Sequence, residues 1–200
     1  MRHLIFAATA AVATMIGGFA SAATLGLTTG DPELTAGIAD FDYLVFETDG
    51  DLSTFGATVD EAIGVSLNGD GFLSIAFGFL LSDPTNDFSG GFDVQDDDGE
   101  FLAGDLIAVG FTENQIELQF GGLSGSGAGN FNDTVLAFIT FSDPLGTNPF
   151  NAFVDQDFLA ASVTVQNVID PVNPIPLPAG LPLLLGGLGI LAFARRARRG

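Results

Sequence analysis

The chain has 200 residues and a formal net charge of −20, with 25 Asp and Glu against five Arg, and with no Lys and no Cys. All 25 acids lie between Asp31 and Asp170, and the stretch from Leu4 to Ala194 contains no cationic side chain. The absence of Cys excludes disulfides, Cys-ligated zinc and thiol nucleophiles. The absence of internal cations argues against nucleic-acid binding, which needs Lys and Arg to neutralise phosphates.

The first 23 residues have the three-part layout of a secretory signal peptide. A short cationic start at Arg2 and His3 precedes an apolar run that ends near Phe19. The small residues that follow supply the cleavage region, at Ala20, Ala22 and Ala23. We therefore predict a signal peptide over residues 1–23 and a mature chain that starts at Ala23 or Thr24.

Residues 24–169 contain short apolar runs separated by turn-forming residues, the pattern of an antiparallel all-β domain. The run Gln115–Phe120 alternates cleanly, with apolar side chains at even positions and polar ones at odd positions. Six further runs predict strands: Phe41–Glu47, Ala57–Leu67, Phe72–Leu81, Leu106–Phe111, Thr134–Phe141 and Ala161–Val168. The Gly- and Ser-rich run at 121–129 predicts a surface loop. So many short strands with frequent turns predict a β-sandwich or jelly-roll-like domain.

The densest acidic segment runs from Asp93 to Glu100. Its six oxygen-bearing side chains suit a hard cation such as Ca²⁺, which takes six to eight oxygen ligands. The predicted metal ligands are Asp93, Asp96, Asp98 and Glu100, and calcium is the only cofactor that the sequence points to. The alternative is a solvated, charged turn. A domain with this charge also repels itself, which bound divalent ions or high salt would relieve.

The C-terminal region begins with a short Pro-rich linker over residues 170–174. The 20 residues from Ile175 to Ala194 carry no charge, and as a helix they would span about 30 Å, enough to cross a hydrocarbon core. Cations that flank a membrane span stay cytoplasmic. Those that follow this span are Arg195, Arg196, Arg198 and Arg199. With Arg2 also inside, this topology translocates the acidic domain.

The motif Pro176-Leu177-Pro178-Ala179, the apolar span and the terminal Arg cluster together resemble the VPLPA-CTERM sorting signal, a relative of the PEP-CTERM signals of Gram-negative bacteria. The resemblance covers residues 175–200, and Ile175 stands where the family has Val. It implies recognition by an exosortase, a membrane-embedded transpeptidase-like enzyme. That enzyme would cut near the motif and pass the protein to the cell surface or extracellular matrix. Such systems often accompany exopolysaccharide production.

These features predict an exported surface or matrix protein with a structural or interaction role and no catalysis. Its processing partners would be the secretion translocon and the exosortase. Its intermediate would be anchored in the inner membrane by the C-terminal helix, with the domain in the periplasm. One alternative is a calcium-dependent module that binds an extracellular polysaccharide. The other is a glycoside hydrolase that uses paired carboxylates; it is disfavoured because Tyr43 is the single Tyr or Trp that could stack on a sugar.

Overall fold

The computed structural model describes residues 24–145, 148–152 and 157–170, and these residues form an antiparallel all-β fold. Within this part of the chain the strands are β1 (Thr28–Ala36), β2 (Ala39–Phe46), β3 (Asp49–Ile63), β4 (Gly71–Leu80), β5 (Phe88–Asp96), β6 (Gly99–Phe111), β7 (Gln115–Ser124), β8 (Thr134–Thr140), β9 (Phe158–Ala160) and β10 (Ser162–Asp170). A 3-10 turn covers Ala128–Asn130, and a four-residue helix, α1, covers Pro149–Ala152. The predicted signal peptide, linker residues 171–174 and the sorting signal lie outside the described residues.

The sheet closes into an eight-stranded barrel. The strands follow the order β1-β10-β8-β7-β6-β5-β4-β3, and β1 pairs again with β3. β2 pairs with the first half of β3, and the short β9 pairs with β2. These two strands therefore continue the sheet beyond the closed ring of eight. The chain is therefore a meander that is closed where its first strands meet its last.

The prediction of an all-β antiparallel domain is confirmed, but the sandwich or jelly-roll architecture is wrong. A strand of a barrel and a strand of a sandwich show the same alternation, so the sequence pattern cannot distinguish them. Closure depends on β3, whose pairing with β4 shifts register between Thr54 and Ala57. Gly56 lies at that shift with φ +69°. A register irregularity of this kind bends a strand, and the two halves of β3 pair with β2 and with β1.

Inward-facing side chains fill the barrel, as expected for eight strands. Phe is the main filler, and Phe41, Phe77 and Phe120 are each at most 2% exposed. Tyr43 is also buried, and its hydroxyl donates a hydrogen bond to the carbonyl oxygen of Phe150 on α1 at 2.6 Å. Because these side chains fill the interior, the outer wall is the surface of the barrel that is open to a ligand.

Candidate functional site

The predicted metal ligands lie on one hairpin rather than in a loop. Asp93 is on β5, Asp96 ends that strand, Asp98 is in the turn, and Glu100 is on β6. The turn consists of two residues, because Asp96 pairs with Gly99. The carboxylate of Asp96 accepts the backbone N–H groups of Asn68 and Asp98, both at 3.0 Å. Its two oxygens therefore hold the turn and attach it to the β3–β4 loop.

The other predicted ligands belong to separate hydrogen-bond networks. Asp93 accepts the side-chain amide of Gln95 at 3.2 Å, and Glu100 accepts the hydroxyl of Ser124 on β7 at 3.0 Å. Across residues 24–145, 148–152 and 157–170, no three acidic side chains are grouped so that they could hold a metal ion. The geometry adds no support to the calcium hypothesis, which stays a prediction.

A hollow of about 400 Å³ lies on the outer wall of the barrel, across β3 to β7. Its floor is low because the outward positions there carry small side chains, with Ser74 and Ala76 on β4 and Gly91 on β5. Asp93 on β5 and Asp105 on β6 also line the hollow. The register of these two paired strands places the two residues diagonally opposite each other. The hollow thus combines small and apolar lining residues with the carboxylate oxygens of two Asp side chains.

A second hollow, of about 420 Å³, adjoins the first along β4 and β5. Gly78 and Ser89 lie in it, directly opposite each other, two residues along each strand from Ala76 and Gly91 of the first hollow. Its acidic lining residues are Asp49, Asp51 and Asp87. We name the two hollows together the outer groove. From Ser74 to Leu80 at about 3.4 Å per residue, the outer groove is about 20 Å long.

Two exposed aromatic rings lie along the outer groove. Phe55 lines the first hollow and is 72% exposed, and Phe46 lines the second and is 62% exposed. Exposed Phe rings leave flat apolar faces available to a ligand. Together with the carboxylate acceptors of the two hollows, they suit an elongated ligand rich in hydroxyl or amine donors.

Sequence reasoning missed the outer groove, because it considered only Tyr and Trp as side chains that could stack on a sugar. Tyr43, the single residue of those two types, is 2% exposed and belongs to the core. The alternation within Phe41–Phe46 held a usable signal, because Phe46 has the opposite parity to the inward-facing Phe41 and Tyr43. The predicted sorting motif, its Arg cluster and the signal cleavage region all lie outside the described residues.

No helix among the described residues has the length and hydropathy needed to cross a bilayer. The chain matches no protein-family model, no curated protein and no solved structure.

Proposed function

We propose that the chain is an exported, non-catalytic surface or matrix protein that binds an extracellular polysaccharide in its outer groove. The observation that carries the binding role is the outer groove itself, with exposed Phe46 and Phe55 beside a floor of small residues. Phe rings provide apolar faces for sugar rings, and the Asp side chains accept hydrogen bonds from hydroxyl groups. A groove about 20 Å long fits a stretch of polymer better than a single sugar.

Charge restricts the class of polysaccharide. Five Asp side chains line the outer groove, and the described residues contain no Lys, Arg or His. Like charges brought together at an interface disfavour binding, whereas complementary charges favour it. The expected ligand is thus a neutral or amine-bearing polysaccharide rather than an anionic one.

The binding test compares groove variants in affinity electrophoresis through gels that contain chitosan oligosaccharides, dextran or alginate. We expect retardation by chitosan or dextran and none by alginate. Because each ring contributes a stacking face, Phe46→Ala and Phe55→Ala should each weaken binding about tenfold. Phe72→Ala is the matched control, since Phe72 is an exposed Phe on β4 that does not line the outer groove. Equal weakening by all three variants would argue against the outer groove as the site.

The calcium-dependent alternative is tested in the same assay. Binding is measured at fixed ionic strength with Ca²⁺, or with Na⁺ plus a chelator, because salt alone also screens the acidic surface. Equal binding in the two buffers rules the alternative out. A calcium effect that disappears in the double variant Asp96→Asn, Asp98→Asn would support it and assign the ion to the β5–β6 hairpin.

Export and sorting are supported by the two ends of the sequence, where cations flank apolar runs. The exosortase-type signal would deliver the barrel from the inner membrane to the surface. Mass spectrometry of the surface form, from a host with a matching sorting enzyme, should find a start at Ala23 or Thr24 and an end before the Arg cluster. Recovery of an intact chain with both ends would contradict this proposal.

A further inference from the structure

Glu117 is a buried carboxylate on the outer wall of the barrel. Its neighbours Ile116 and Leu118 point into the core, so its own side chain points outward, yet it is only 5% exposed. Its two oxygens accept the backbone N–H of Leu25 at 2.6 Å and the side-chain amide of Gln115 at 3.1 Å. Both donors are neutral groups.

The segment that covers Glu117 is the start of the described chain, residues 24–27, which we name the N-terminal arm. The hydrogen bond from Leu25 places the arm against β7, although Leu25 and Glu117 are 92 residues apart in the sequence. Gly26 has φ +63°, a left-handed conformation that glycine adopts without strain and that turns the arm before β1. Leu25 and Leu27 are half-buried, so the arm is packed onto the wall.

A buried carboxylate without a cationic partner lowers the stability of the fold, because neutral donors replace only part of the hydration that the carboxylate loses. Within the part of the chain that the structure describes, no side chain can supply that cation, since Lys, Arg and His are absent from Leu4 to Ala194. Cleavage of the signal peptide would create one, because the processed chain begins with an α-ammonium group. Consecutive residues are about 3.8 Å apart, so an ammonium on Thr24 or Ala23 starts one or two residues from the nitrogen that already contacts Glu117.

We propose that the α-ammonium group released by signal cleavage pairs with Glu117 and fastens the N-terminal arm to the barrel. The inference rests on the proposed export, because only a cleaved chain carries this charge. Before cleavage the same nitrogen is a neutral amide. Removal of the signal peptide therefore also adds a charge-assisted hydrogen bond, which is stronger than a neutral one. The processed barrel would be more stable than its precursor for this reason.

The chain allows a clean test because it has no Lys, so an amine-directed acetylating reagent modifies only the α-amino group. The full chain is exported with its own signal peptide and purified, and its first residue is determined by mass spectrometry. Urea unfolding is then measured for the free and the acetylated amine, each with Glu117 and with Glu117→Gln. Acetylation should lower the folding equilibrium constant about tenfold with Glu117 and leave it unchanged with Gln at this position. Glu113→Gln removes the same charge from the exposed turn before β7 and should preserve the full acetylation effect.

Each outcome separates the two proposals. A purified chain that keeps residues 1–22 contradicts the export proposal, and the pairing with it. A processed chain that loses the same stability on acetylation with Glu117 or with Gln contradicts the pairing alone. If Glu117→Gln does not fold, the unmodified protein still decides, because an unchanged urea midpoint after acetylation overturns the pairing. The rate of acetylation gives a second measure, since pairing should slow the reaction severalfold in the folded protein relative to the urea-unfolded chain.

Discussion

Phe150→Ala should destabilise the barrel by about 3–5 kcal/mol, the range for truncating a buried aromatic side chain. Phe150 is 2% exposed and lies on α1, at the end of the barrel where β4, β6 and β8 finish. Its ring centre lies 4.8 Å from that of Phe79 and 5.7 Å from that of Phe111. Truncation would leave a cavity between these rings, which belong to different strands and cannot all move in to fill it.

The measurement for Phe150→Ala is urea unfolding followed by circular dichroism. Leu159→Ala is the control, because Leu159 on β9 is 64% exposed and its truncation should change stability by less than about 0.5 kcal/mol. A loss below about 1 kcal/mol for Phe150→Ala would mean that α1 does not hold the end of the barrel closed.

Gly90→Ala is expected to cost about 1–3 kcal/mol or more through overpacking. Gly90 is on β5 directly opposite Phe77 of β4. A methyl group at this position would lie 2.5 Å from the Cβ atom and 2.6 Å from the Cα atom of Phe77, and it would also meet the carbonyl oxygen of Ala76. Because two of these atoms belong to the backbone, avoiding the contacts would require β4 and β5 to separate, and the φ of +156° at Gly90 is itself unfavourable for an L side chain.

Gly129→Ala is the matched control for that substitution. A methyl group at Gly129 would have open space around it, so the change should stay within about 0.5 kcal/mol. Thermal melting of the two variants beside the unmodified protein gives the comparison. Equal melting temperatures for Gly90→Ala and Gly129→Ala would contradict the close approach of β4 and β5 at Gly90.

The strands that the sequence identified are those with a strong local pattern. The alternation in Gln115–Phe120 matches β7, and the apolar run Phe72–Leu81 matches β4 within one residue at each end. β5 was missed because Phe88–Asp96 is rich in Gly and Asp, and its pairing with β4 and β6 stabilises a segment that has low strand propensity. The prediction of a surface loop over residues 121–129 was wrong in part, because Gly121–Ser124 belongs to β7.

Barrel closure and the outer groove could not be predicted, because both depend on contacts between distant residues. The barrel closes where Glu33 of β1 pairs with Gln166 of β10 and with Ile63 of β3. No local sequence pattern specifies these partners. The outer groove is lined by residues of six strands, β2 to β7, so its outward-facing residues come together only once the pairing register of those strands is known. The calcium hypothesis used only the density of acids along the chain, and the hairpin directs those acids into different hydrogen-bond networks.

The pairing of the first strand with the last also determines when the protein can fold. A chain that emerges with its N-terminus first presents β1 early, but β1 acquires its second neighbour only after β10 has emerged. Contacts so far apart in sequence form slowly, and unpaired strand edges can associate with other chains in the meantime. If residues 162–170 were withheld, the barrel would therefore stay open along its whole length, with the backbone edges of β1 and β8 free to pair with other strands.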